Sequence, residues 1–522
     1  MGRSRKCGLF FLRVLRAAHL APFFVVLACA AGLAWIQLTL PGLLDGDSYF
    51  HSRAAQQLLE QGVRPEFPQA VFSTWKEGYS DKDFLFHVML IPFCSDEEEL
   101  IAGGKIAVVA FNLLFLAALA WTISALGLRF GPLWILLFLS SHFVVLMHLL
   151  SLRPHLLAMV LVPVELALLM TGRHLGLGAA SASHVLGHSS FVLVPGLPLA
   201  HGLARRLHGR PFAWRSLGAT LGGIGAASLL HPYFPHNLTV AFHQVVEVAR
   251  NVWGSRPKIP HDLFGPELLG MPPTELLMAP AAWLPAVSGL SVMAMRSSRP
   301  CERSLTLALV AAGFLALTLL SRRFFPFFAI VSTLLAGSLW TEIAAGWSWR
   351  ELGRRGSGRA WAVILLAGCL AVGQTYALVL RASDVLPRIR SPLLYRPAID
   401  FLGRVAKPED QVYHSFWWMF GELYHFRPEG RYVVPLDPVF LHRHDEELFR
   451  RMLVAHRGRG DVYKIIAEDF GARWVFVAKA PRSRPLRARL QRDPRIHRRY
   501  ADRWAEVYEV APPADRTAGT GP

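Results

Sequence analysis

Apolar residues in this chain come in blocks of about 20, the length at which an α-helix rising about 1.5 Å per residue crosses a hydrocarbon core. Only helices and closed barrels satisfy their backbone groups in lipid, and blocks of this length are helical. With 53% hydrophobic and 18% charged residues over 522 positions, the chain has far too much apolar surface for a disordered, collagen-like or coiled-coil protein. Its five cysteines are scattered and form no CxxC pair, so neither a disulfide framework nor a metal knuckle is encoded. The fold class expected is an α-helical polytopic membrane protein. Spans are predicted near 20–40, 103–127, 131–150, 154–171, 174–187, 189–204, 214–231, 273–296, 303–321, 324–345 and 359–381, about eleven crossings.

The net charge of +18 comes with no nucleic-acid recognition motif, so nucleic acid is excluded as a partner and the bilayer is the expected one. Arg3, Arg5, Lys6, Arg13 and Arg16 precede the first block and put the N-terminus in the cytoplasm. Arg129, Arg173, the group Arg205–Arg215, Arg296 with Arg299, and Arg350, Arg354 and Arg355 then fall on the same side. The weak, Gly- and Ser-rich crossing at 174–187 is needed for that agreement. The region 1–384 is therefore read as the transmembrane domain, with 41–100 as its first outer loop. Beyond it the composition changes. Residues 385–510 read as a soluble α/β domain outside the membrane, with strands at 411–415, 431–436 and 473–478 and helices at 444–456 and 461–470, the last closed by Gly471. The tail 511–522 reads as disordered. The excess of Arg over Lys points to a GC-rich bacterial genome, hence to a multi-pass protein of the bacterial cytoplasmic (inner) membrane.

The first outer loop opens LLDGDSYFHSRAAQQLLEQG. Asp45 and Asp47, one residue apart at the membrane surface, suit a divalent cation or a general base; equally, Asp47 ahead of an amphipathic run suits a helix cap. A second pair, Asp81 and Asp83, precedes an apolar patch that could re-enter the membrane. Arg153, His155, His188, His231, His236, Arg322 and Arg323 recur at helix ends that the threading puts on the same outer face. Ionisable groups at membrane depth are expensive, so their clustering marks a site for an anionic, phosphate-bearing substrate. GxGxxG, Walker, HExxH and GxSxG motifs are missing, which leaves soluble nucleotide chemistry, zinc proteolysis and serine hydrolysis without support.

A first span, the acidic DGDSYFHSR loop, further helices and an outer α/β region together resemble the GT-C superfamily of integral-membrane glycosyltransferases, which use polyprenyl-phosphate-linked sugars. DGDSYFHSRAAQQLLEQG is similar to the first-loop motif of the oligosaccharyltransferase catalytic subunit. SFWWMFGEL is similar to that family's WWDYG signature, with Met419 where its Asp would stand, and SLRPH occupies the place of its second acidic motif. The resemblance implies a hexosyltransferase-type enzyme moving a sugar, with inversion, from a polyprenyl-phosphate donor to an extracytoplasmic lipid, glycan or protein. Asp47 and Asp45 would act as base or as ligands of Mg2+ or Mn2+. Arg153, His155, His188, His231, Arg322, Arg323, Asp81 and Asp83 would bind substrate. Three alternatives stand beside it: protein N-glycosylation, a transporter or flippase of a lipid-linked or anionic substrate, and an assembly subunit with a dead site.

Overall fold

The computed structural model describes residues 23–254, 258–260, 263–345, 358–388 and 391–513. The basic N-terminal segment, the Arg350–Arg355 loop and most of the 511–522 tail lie outside the described residues.

The apolar blocks fold as helices. Among the described residues four are long and apolar enough to cross a membrane by length and composition: Leu100–Ala125, Glu302–Leu320, Arg322–Ile343 and Leu365–Val385. Shorter apolar helices run at Phe23–Thr39, His155–Met170 and Pro280–Met295, and Gly- or Ala-rich ones at His174–Gly187 and Trp214–Leu230. Phe325–Ile343 forms the centre of the bundle with nearly every side chain buried, whereas the long helix Gly358–Val385 lies at its outside. One predicted span is broken within its length. Residues 131–150 are not one helix but two, Gly131–Leu139 and Phe143–Leu150, bent by 89°. The break is local chemistry: Ser140 returns its hydroxyl to the Leu136 carbonyl, and His142, in extended backbone, caps the second helix by accepting from the Val144 amide at 3.2 Å. Residues 189–204 differ in the same way, a short 3-10 turn at Ser189–Leu193 preceding the helix Gly196–Leu207.

The C-terminal region carries a five-stranded mixed sheet in the order β2-β1-β3-β5-β4, with β1 Gln411–His414, β2 Arg431–Tyr432, β3 Ala472–Ala478, β4 Ile496–Ala501 and β5 Ala505–Val510. β1 is parallel to β2 and β3, and the β4–β5 hairpin closes antiparallel on β3. The three predicted strands form; the Arg-rich hairpin at the edge was not among them. Gly471, at φ +57°, ends the helical stretch before β3 as its sequence position suggested.

The loop at 41–100 and this sheet pack as one body. Ala70 bridges Tyr432 as a short parallel continuation of the sheet, with the Tyr432 amide donating to the Gln69 carbonyl at 2.7 Å. Phe50, Phe67 and Trp75 from the loop share an aromatic core with Phe420, Tyr424 and Tyr432. The helix Gly46–Gln61 lies against Phe420–Phe426, tied by Arg53 to the His425 carbonyl and by Tyr424 to Gln57.

Candidate active site

Between the bundle, the first loop and the C-terminal region lies a cavity of about 980 Å³. Asp45, Asp47, Asp81, Asp83, Arg153, His155, His188, Arg322 and Arg323 all line it. His231 does not; it is buried beside Phe84, where its Nδ1 accepts from the Tyr233 amide.

Asp45 and Asp47 divide the two readings between them. Asp45, not Asp47, is the helix cap: its carboxylate accepts from the Ser48 amide at 2.8 Å and the Ser48 hydroxyl at 2.9 Å. Both carboxylates are then held by one guanidinium. Arg153 Nε lies 3.2 Å from Asp45, its Nη2 3.0 Å from Asp47, and its Nη1 3.7 Å from Glu267. Burial pushes both acids up; for Asp45 the charge of Arg153 and the Ser48 bonds more than offset it, leaving the carboxyl below its ordinary value. For Asp47 burial prevails over Arg153, helped by the neighbouring Asp45 and Glu267 charges, and its pKa is raised.

This donor set does not fit the expected Mg2+ or Mn2+. Arg153 supplies, between two carboxylates, the positive charge a divalent cation would supply, and no group of three His, Cys, Asp or Glu side chains is placed to hold a metal among the described residues.

The other basic groups stand around the same space. Arg322 pairs with Glu275 at 3.0 Å, Arg323 faces the cavity beside it, and Lys82 lies 2.5 Å from Asp83. His155 donates through Nε2 to the His148 carbonyl at 2.8 Å. His188 is fixed by a buried series running inward from it: Ser190 at 2.7 Å, then His184 at 2.8 Å, then Glu165 at 3.1 Å. Asp81 accepts from His87 at 2.6 Å.

Several lining residues were not singled out from the sequence. Asp437, in RYVVPLDPVF, caps the helix Pro438–His444 by accepting from the Val439 amide at 2.9 Å; it also faces the cavity, pushed up to about 6 chiefly by burial. His51 belongs to the DGDSYFHSR loop and His87 to GYSDKDFLFHVMLIPF, and their juxtaposition depends on the packing of two helices distant in sequence. Glu422 lies just behind the acidic loop, so close that a side chain on Gly46 would meet its carboxyl oxygens at 2.9 Å. Burial, then the nearby Asp47 and Asp45, raise Glu422 to about 8.

No protein-family model matches the sequence, and no curated protein does. The fold, however, is similar to that of solved membrane proteins. An archaeal oligosaccharyltransferase, AglB from Archaeoglobus fulgidus in complex with an inhibitory peptide and a dolichol-phosphate, is similar at a TM-score of 0.63 and 12% identity, over 87% of this chain and 69% of that one. ArnT from Cupriavidus metallidurans bound to undecaprenyl phosphate is similar at 0.52 and 15%, over 93% of this chain and 97% of that one. The Archaeoglobus enzyme in complex with Zn and sulfate is similar at 0.57 and 11%, over 87% and 68%. At these identities the likeness is one of fold.

Proposed function

We propose that this chain is a membrane glycosyltransferase that moves a sugar, with inversion, from a polyprenyl-phosphate-linked donor to an extracytoplasmic acceptor. One observation carries the reading: a single cavity in a GT-C fold is walled by Arg153, Arg322, Arg323 and Lys82 together with Asp47, Asp81 and Asp437. Guanidinium and ammonium groups suit the phosphate of the donor and the charge that builds on it as it leaves. The carboxylates suit sugar and acceptor hydroxyls, with Asp47 as the group that meets the reacting hydroxyl and Asp45 holding Arg153 behind it. Neighbours of the same fold that bind dolichol-phosphate and undecaprenyl phosphate support the lipid class.

In this reading the chain is a multi-pass protein of the bacterial cytoplasmic membrane with about eleven crossings, its N-terminus inside and residues 385–510 outside, as the basic loops require. A hexose is the sugar class, and the acceptor is a lipid or glycan before a protein, because Met419 takes the place of the acidic residue in the WWDYG-like segment. The test is transfer of labelled sugar from undecaprenyl-phosphate-linked donors in proteoliposomes, wild type beside Asp47→Ala. Turnover in the wild type and its loss in the variant are expected; well-folded wild-type protein that neither binds nor turns over any such donor would move the assignment to transport.

A further inference from the structure

His51 lies four residues beyond Asp47 on the helix Gly46–Gln61, so the two share a face. Behind His51 stands His87, on the helix Phe84–Leu90, and behind His87 stands Asp81. His51 Nδ1 is 2.8 Å from His87 Nε2, and His87 Nδ1 is 2.6 Å from Asp81 Oδ2. All three are buried from outer solvent yet line the cavity, and the second Asp81 oxygen is fixed by the Asp83 amide at 3.0 Å.

Hydrogen-bond polarity gives this series a direction. The Asp81 carboxylate can only accept, so His87 carries its proton on Nδ1. A neutral His87 then offers a lone pair at Nε2, and the bond to His51 is donated by His51 Nδ1. That tautomer leaves the lone pair of His51 on Nε2, on a side chain that lines the cavity. Base, orienting group and buried acid are arranged as the histidine and aspartate of a serine-protease triad are, with one imidazole added between them.

We propose that His51 Nε2 is the base that takes the acceptor's proton, with His87 and Asp81 as its positioning residues; this rests on the glycosyl transfer proposed above. In that step the acceptor O–H bond breaks and its oxygen bonds the anomeric carbon of the sugar. The bond from that carbon to the phosphate oxygen breaks, its electron pair leaves with the polyprenyl phosphate, and the proton rests on His51 until it passes to the departing phosphate or to water. Asp47 is tied to Arg153, whose guanidinium also meets Asp45 and Glu267, whereas His51 heads a series ending in the Asp81 carboxylate. Burial, then the charges of His87, Lys82 and Arg153, hold His51 below the ordinary imidazole range, so the proton it takes is readily passed on.

The experiment uses the full chain in proteoliposomes with an undecaprenyl-phosphate-linked hexose and octyl glucoside as surrogate acceptor, comparing wild type, His51→Ala, His51→Gln and Asp81→Asn. Loss of kcat by ~100-fold or more in both His51 variants is expected, with donor KM and undecaprenyl-phosphate binding kept and turnover of His51→Ala partly restored by added imidazole. Asp81→Asn is expected to lower kcat less and to move the pH profile. Wild-type kcat in His51→Ala overturns the assignment while leaving the transfer reading intact. So does a loss that tracks with lost donor binding and resists imidazole, which would make the series purely structural. A wild type that binds undecaprenyl phosphate and turns over no donor overturns the transfer reading, and this assignment with it.

Discussion

Glu422→Gln is the perturbation whose size follows most directly from the structure. Glu422 is 4% exposed, its Oε2 has no partner among the described residues, and the nearby charges of Asp47 and Asp45 both disfavour its ionised form. Its carboxyl is held at about 8 against an ordinary value of 4.5, so the folded protein keeps a proton that the unfolded chain releases. Stability therefore falls as pH rises through the window from 4.5 to about 8, and levels off above it. At about 1.4 kcal/mol per unit, the gap sets a ceiling of about 5 kcal/mol above pH 8 and about 3 kcal/mol at pH 7. Gln keeps the shape and does not titrate. Its unfolding free energy should match wild type near pH 4.5 and exceed it by about 3 kcal/mol at pH 7. SDS-driven unfolding in mixed micelles, followed by proteolysis of the unfolded fraction at a series of pH values, reads that difference. A wild-type-to-variant gap that stays constant between pH 4.5 and 8.5 would refute the reasoning, because an ordinary or ion-paired Glu422 adds no slope.

Three further outcomes are expected. Gly421→Ala should lower the melting temperature through a loss of about 1–3 kcal/mol, since its Cβ would sit 2.2 Å from the Gly46 carbonyl oxygen; an unchanged melting temperature counts against that contact. Arg153→Met should abolish sugar transfer and weaken folding, because Asp45, Asp47 and Glu267 lose their shared partner, and retained turnover would show that the carboxylates need no guanidinium. Asp437, raised to about 6, is protonated below that pH and ionised above it, so kcat/KM should fall as pH drops through 6; Asp437→Asn should remove that acid limb, and a limb that persists unchanged assigns it to another group.

Much of this was legible in the sequence because apolar length and charge placement act locally. The blocks, the three strands, Gly471 and the convergence of Asp47, Arg153, Arg322 and Arg323 on one cavity follow from patterns a few residues long. Two kinds of feature were not. The break at 140–142 was hidden because a Ser-Ser-His step hardly interrupts an apolar run, although its capping bonds stop the helix. Partnerships across long separations, such as Asp45 and Asp47 with Arg153 or His51 with His87, depend on packing that no local pattern encodes. Asp47 could be read from the sequence as cap or as site residue, and the Ser48 bonds give the cap to Asp45 instead.

The short bridge between Ala70 and Tyr432 has a consequence for how the protein is made. The acidic loop is made before the backbone it pairs with, and that backbone and the Gly421–Glu422 surface that braces Gly46 arrive more than 350 residues later. Closing so long a loop is slow relative to forming a helix in place, so the acidic loop must wait unpaired until those residues have been made. A fragment ending before residue 411 would form its helices and still lack the cavity wall that Trp417, Asp437 and Phe440 supply. Truncation there should thus yield helical material with an open, unfinished cavity, a target for quality-control proteases.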